Sequence, residues 1–237
     1  MFCAAEAIPG KVFSGFPFGI AQELWIAGRW RIVLQKAMDH LRYSGLPFEA
    51  QREAFLDIVS ADPLVREALV RARALNLPDW LVVSGALYNS VWNHLTGKPS
   101  GYGIKDVDLF YFDDADLSYE AEDAVIRRAA PHFEGLALPV EVRNQARVHL
   151  WYPQKFGQPC PRYTSSSDSV GHFASKTHAV GVRYDADGQL ELVAPFGVDN
   201  IFSFRITPNR VMDNQRTHDA KGRRAKEYWP EISVVPW

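Results

Sequence analysis

Cysteine is scarce in this chain: Cys3 and Cys160 are the only two in 237 residues, and no Cys-x-x-Cys spacing occurs. That excludes a disulfide framework and a cysteine-based zinc site, and a reducing cytoplasm is the expected compartment. A long apolar run is missing too. The stretch from Val12 to Ala27 is broken by Pro17, Gln22 and Glu23, and no basic region precedes it, so neither a signal peptide nor a membrane-spanning helix is expected. No charge of one sign prevails. The net charge is -2 with acids and bases interspersed, which gives no global field toward nucleic acid or anionic membrane and leaves any such contact to local groups. There is no internal repeat and no low-complexity tract.

What is present is a chain with 47% apolar residues, long enough to bury one core with appendages. Residues 1–48 read as an N-terminal extension. Gly and Pro punctuate Phe2 to Phe18, and Trp30, Leu34, Ala37, Met38 and Leu41 then recur at helical spacing. Residues 49–207 read as the core. One helix spans Glu49 to Val59, and another starts at Asp62, a capping residue followed by Pro63. Trp80 to Val83 is a short apolar strand that stops at Ser84-Gly85, after which Leu87, Val91, Trp92 and Leu95 give a helix. Next come a strand over Lys105 to Asp113, a helix over Leu117 to Ala130 and a strand over residues 139–152. A helix over Asp168 to Lys176, a hairpin of Ala179 to Tyr184 with Gln189 to Val193, and a helix near Gly197 to Phe204 complete the core. Residues 208–237 read as a basic tail carrying Arg216, Lys221, Arg223, Arg224 and Lys226, charges that by themselves suit a solvated helix or coil.

The sharpest chemical signal is Lys105-Asp106-Val107-Asp108 running into Leu109 to Phe112. A strand alternates faces, so both acids point the same way with Cβ atoms about 6.6 Å apart. Their oxygens can converge on one ion, or on two ions about 3.5 to 4 Å apart. Magnesium suits such a pair, because it takes few protein carboxylates and completes its shell with water and phosphate. Asp-x-Asp pairs also occur where strands simply run out into solvent. Here the apolar Leu109 to Phe112 suggests a central strand, where neighbouring acids repel unless a cation compensates. In the following strand Glu141, Arg143, Gln145, Arg147 and His149 alternate with mostly apolar residues, giving a polar strip and a third acid. The Ser84-Gly85 turn lies where a strand feeds a helix, a place where free N–H groups receive phosphate oxygens.

A small-residue turn, a paired-acid strand and a later acid together resemble the polymerase-beta-like nucleotidyltransferase superfamily. Within it the chain resembles a bacterial family of nucleotidyltransferase-like domains of unknown function. The strings that carry the likeness run from Ser84 to Trp92, Gly103 to Asp113, Leu117 to Asp123, Asn144 to Trp151, Ala179 to Arg183 and Ala194 to Gly197, with Pro208-Asn209. The resemblance implies an α+β fold in which a mixed sheet is flanked by helices. It implies Asp106, Asp108 and Glu141 as catalytic metal ligands for two Mg2+ or Mn2+ ions. It implies nucleotide contacts from Ser84, Gly85, Asn89, Lys105, Arg143 and Arg147. The reaction would be attack of an acceptor hydroxyl on the α-phosphate of a nucleoside triphosphate, with pyrophosphate leaving. Two features depart from the superfamily pattern: Ser precedes Gly in the turn, and twenty residues separate Gly85 from Asp106.

Two other readings stay open. A nucleotide-sugar glycosyltransferase also uses an Asp-x-Asp strand, and a nucleotide- or RNA-binding module would keep the fold without catalysis. The acceptor is open as well, among RNA, a protein and a small molecule. Tyr152, Lys155, Arg162 and Ser165 to Ser167 are placed on its side by their position after Glu141.

Overall fold

The computed structural model describes residues 39–237. The helix expected from Trp30 onward falls almost wholly outside that range. Helix α1 (Phe48–Ala61) turns Phe55, Ile58 and Val59 inward, and its buried Gln51 donates to the Tyr43 carbonyl and to Asp199 Oδ1. Helix α2 (Pro63–Leu75) starts where the sequence signals it. Asp62 Oδ1 accepts from the Leu64 and Val65 N–H groups at 3.0 and 3.1 Å, and Pro63 occupies the first turn, where no N–H is needed. Strand β1 (Leu81–Val83) is buried along its whole length and leads directly into α3 (Gly85–Thr96). Strand β2 (Val107–Tyr111), helix α4 (Tyr119–Ala129) and strand β3 (Val140–Asn144) follow, then α5 (Val148–Phe156) and the short α6 (Ser166–Val170). The hairpin β4 (Gly181–Tyr184) and β5 (Leu190–Val193) precedes α7 (Asp199–Phe202), β6 (Arg205–Ile206), α8 (Gln215–Tyr228) and β7 (Ser233–Val234).

The main sheet has the order β3-β2-β1-β4-β5 and is mixed: β2 and β3 are parallel, and the other neighbours are antiparallel. Alternation along β2 sends Val107, Leu109 and Tyr111 into the main core, where Phe55, Leu69, Trp92, Phe202 and Trp229 also lie. The other side of the sheet carries a smaller cluster, Leu81, Val83, Val170 and Ala179, with Phe110 and Phe173 packed against it. The Phe110 and Phe173 rings meet edge-on at 5.8 Å.

Two expectations change. The strand expected over residues 139–152 ends at Asn144, because the Asn144 side chain takes over the backbone's hydrogen bonding. Its Oδ1 accepts from the N–H groups of Asp113 and Ala146, both at 3.1 Å, and its Nδ2 donates to the Asp113 carbonyl at 2.8 Å. Residues 145–147 form a single 3-10 turn, and α5 follows. The polar strip therefore stops after Arg143. The basic segment beyond Pro208 is likewise not an appended tail. In α8 the residues His218, Gly222 and Ala225 form a buried stripe, and β7 pairs in parallel with β6. Trp229, 1% exposed, donates its indole N–H to Asn93 Oδ1 at 3.1 Å and lies 5.3 Å from Trp92, ring to ring. Gly103 makes room for it. With φ at +68°, a Cβ there would also stand 2.5 Å from the Trp229 ring. Among the described residues no helix is long and apolar enough to cross a membrane.

Candidate active site

Register, rather than proximity in sequence, assembles the site. Val83 at the end of β1 lies opposite Asp108 in β2, and Asp108 lies opposite Glu141 in the parallel β3. Side chains at paired positions share a face, so Asp108 and Glu141 stand together over the side of the sheet away from the main core. Asp106, two residues earlier, joins them by alternation. Ser84 follows Val83 directly. A cavity of about 410 Å³ opens here, lined by Ser84, Gly85, Asn89, Lys105, Asp106, Asp108 and Glu141, with Lys221 and Arg224 contributed by α8.

Ser84 carries two unfavourable features. Its backbone is at φ 58°, ψ -118°, a conformation glycine tolerates and other residues rarely adopt. The residue is 3% exposed, and its hydroxyl makes no hydrogen bond of good geometry among the described residues, the Tyr88 hydroxyl being its polar neighbour, although the residue occupies the helix-capping position. Backbone strain and buried polar atoms without good partners concentrate at functional sites, which makes this turn a candidate. Gly85 beside it has open space where a side chain would sit: a Cβ would meet nothing nearer than Asn89 Nδ2 at 3.8 Å.

The acids are held in different ways. Asp106 is paired with the Lys105 ammonium at 3.2 Å, and Glu141 with the Arg143 guanidinium at 3.6 Å. Burial pushes the Asp108 carboxyl up to about 6 from its ordinary 3.8. Lys221 pulls it back, and the charges of Asp106 and Glu141 add to the rise. Lys221 keeps more than a third of its surface open to solvent, yet its ammonium is crowded by the cleft walls. That crowding lowers its pKa, and Asp108 and Asp106 oppose the shift. Among the described residues no three His, Cys, Asp or Glu side chains converge as a preformed metal site. The donor set is nevertheless of the right kind for magnesium, which needs only one or two protein carboxylates plus substrate phosphate. A bound cation would offset both the burial that chiefly raises Asp108 and the smaller repulsion from Asp106 and Glu141.

Of the residues singled out in the sequence, Ser84, Gly85, Asn89, Lys105, Asp106, Asp108 and Glu141 share this cavity, while Arg143 and Gln145 line an adjoining one with Tyr152 and Lys155. Arg147, expected at the nucleotide, lines neither cavity. It is 8% exposed, paired with Glu122, and donates Nε–H to the Leu117 carbonyl at 2.8 Å, so its charge is spent on joining α4 to the turn after β3. Glu122 also accepts from the Asn144 N–H at 2.9 Å. Ser165 and Ser166 likewise serve local structure: Ser165 Oγ caps α6 through the Asp168 N–H, and the Ser166 N–H donates to Asp79. Sequence reasoning missed Lys221 and Arg224 as site residues. Their signal was the spacing Thr217, Lys221, Arg224 on one helical face, about 100° round the helix from the buried stripe of His218, Gly222 and Ala225.

A family model described as Nucleotidyltransferase matches residues 70–234. The chain belongs to this nucleotidyltransferase family. The matched span takes in Asp106, Asp108, Glu141 and the whole of α8, so the helix that carries Lys221 is part of the nucleotidyltransferase domain. A solved NMR structure described as a CCA-adding enzyme head domain superposes with a TM-score of 0.61 at 24% identity, covering 78% of this chain and 96% of that one. At that identity the likeness establishes the shared fold, a mixed sheet flanked by helices. No curated protein gives a significant match to this chain.

Proposed function

We propose that this nucleotidyltransferase moves a nucleoside monophosphate from a nucleoside triphosphate to an acceptor hydroxyl, releasing pyrophosphate. The observation that carries the reading is the strained, unsatisfied Ser84 turn opening onto the same cavity as Asp106, Asp108 and Glu141. A triphosphate needs donors and positive charge. Ser84, the first N–H groups of α3, and the cations of Lys105, Lys221 and Arg224 offer both in one place. Gly85 lets the phosphates approach the backbone. Asp106 and Asp108, with Glu141, would hold Mg2+ or Mn2+, which supplies charge neutralisation on the α-phosphate and acidifies the acceptor hydroxyl.

The chain's own part in the chemistry is positioning and charge. The acceptor hydroxyl gives up its proton to a carboxylate of the cleft as its oxygen bonds to the α-phosphorus and the bridging oxygen departs with pyrophosphate, and Lys221 and Arg224 offset the charge that accumulates on the leaving side. Calorimetric titration of ATP, GTP, CTP and UTP, each with Mg2+ and with EDTA, tests the reading. Metal-dependent binding is expected, and equal affinity in EDTA would rule out the carboxylate assignment. Assay of the released product separates this chemistry from glycosyl transfer, which frees a nucleoside diphosphate instead of pyrophosphate.

A further inference from the structure

A second cavity, of about 380 Å³, adjoins the first and shares Ser84, Asp108, Glu141, Lys155 and Lys221 with it. Its remaining walls differ in chemistry: Phe110, Trp151, Tyr152, Phe156, Tyr163 and Phe173 supply aromatic surface. Against this cavity lies His178, 1% exposed and stacked on Tyr88 with ring centroids 4.7 Å apart. Neither of its ring nitrogens has a hydrogen-bond partner among the described residues. Burial, reinforced by the Lys221 and His218 charges, keeps the imidazole neutral, with one N–H donor and one acceptor nitrogen. Buried polar side chains are nearly always satisfied, and a cavity beside an unsatisfied one is where its partner enters.

We propose that this second cavity receives the acceptor, and that the acceptor is a small hydroxyl-bearing molecule with a flat heteroaromatic ring whose polar edge His178 reads. The inference rests on nucleotidyl transfer at the adjoining site and names its acceptor class. Triphosphate belongs with the cations of the first cavity, which leaves the aromatic one to the other substrate. Asp108 and Glu141 stand on the shared wall, so a hydroxyl reaching that wall meets the α-phosphate. An apolar cavity of about 150 Å³ already admits benzene, and 380 Å³ takes a molecule of about two rings. A polynucleotide acceptor would call for a cationic track. Among the described residues this cavity's cations are Arg143, which Glu141 engages at 3.6 Å, and Lys155 and Lys221 on the wall it shares with the triphosphate cavity, which is no track leading away from the site.

The probe is 6-hydroxyquinoline, compared with 2-naphthol, which has the same shape without the ring nitrogen. Binding to the full chain is followed by saturation-transfer NMR and fluorescence titration, with and without saturating MgATP. The quinoline is expected to bind about tenfold tighter than the naphthol, in both conditions. His178→Phe keeps the stack on Tyr88 and removes both nitrogens, so it should erase that preference while leaving 2-naphthol binding unchanged. Phe156→Ala, at a residue 45% exposed and hence safe for folding, should weaken both probes severalfold. Absence of binding at millimolar probe, or binding indifferent to both variants, overturns the proposal. Displacement by MgATP assigns the cavity to the nucleobase and overturns it too, as does pyrophosphate release that responds to single-stranded RNA competing with the probe. ATP titration on the same sample stands apart: silence there with His178-dependent probe binding intact sinks nucleotidyl transfer while leaving a ligand cavity.

Discussion

Replacing Asp108 by Asn should make the metal-free protein more stable at neutral pH, and by an amount that depends on pH. Asp108 ionises at about 6 in the folded chain and near 3.8 when exposed, chiefly because burial disfavours its charge. That difference corresponds to a cost of about 3 kcal/mol borne by the folded state once the carboxylate is ionised. Below about pH 4 both states keep the proton and the cost is absent. Between pH 4 and 6 the unfolded chain loses its proton first, so the folded state binds more protons and stability falls as pH rises. Above about 6.5 the full penalty stands. Asn at this position carries none of it. For a domain of this size about 3 kcal/mol is a melting-temperature gain of roughly 6 to 12 °C. The measurement is thermal unfolding of parent and Asp108→Asn in EDTA at pH 4 and pH 7.5, with the gap expected only at the higher pH. Added Mg2+ should then raise the parent and not the variant, closing the gap. Equal gaps at both pH values, or a variant that melts below its parent at pH 7.5, would refute the reasoning.

Ser84→Gly relieves the backbone strain at φ 58° and should stabilise the fold by about 1 kcal/mol, measured by urea unfolding. Ser84→Ala keeps the strain and should lose triphosphate affinity in the calorimeter, so the two variants separate conformation from hydroxyl. Lys221→Met should cost about tenfold to a hundredfold in MgATP affinity, the worth of one charge-assisted contact, while circular dichroism stays unchanged. Unaltered affinity would remove Lys221 from the site. Arg147→Ala leaves Glu122 buried and unpaired and should destabilise by about 3 to 5 kcal/mol. Whatever variant still folds should bind MgATP normally, and a selective loss of nucleotide affinity would restore Arg147 as a ligand.

Much of the fold was legible because its signals are local. The Asp62-Pro63 start of α2, the strand that ends at Ser84-Gly85 and the turn at Asp185 to Gly188 each depend on residues a few positions apart, and each appears where expected. The strand over residues 139–152 was misjudged because its alternation persisted past Asn144. That side chain's bonds to Asp113, distant in sequence, ended the strand and turned Arg147 inward.

By itself the sequence determined that Asp106 and Asp108 share a face, since a strand's period of two fixes it, and that a small-residue turn opens a helix before them. Only the tertiary structure decided that Glu141 stands beside Asp108, because strand order and parallel register follow from how the layers bury their apolar faces. It alone brought Lys221 to the acids and His178 to the second cavity. The helix bearing Lys221 is held by Trp229 against Gly103, Asn93 and Trp92, a fit between surfaces far apart in the chain that no local pattern encodes.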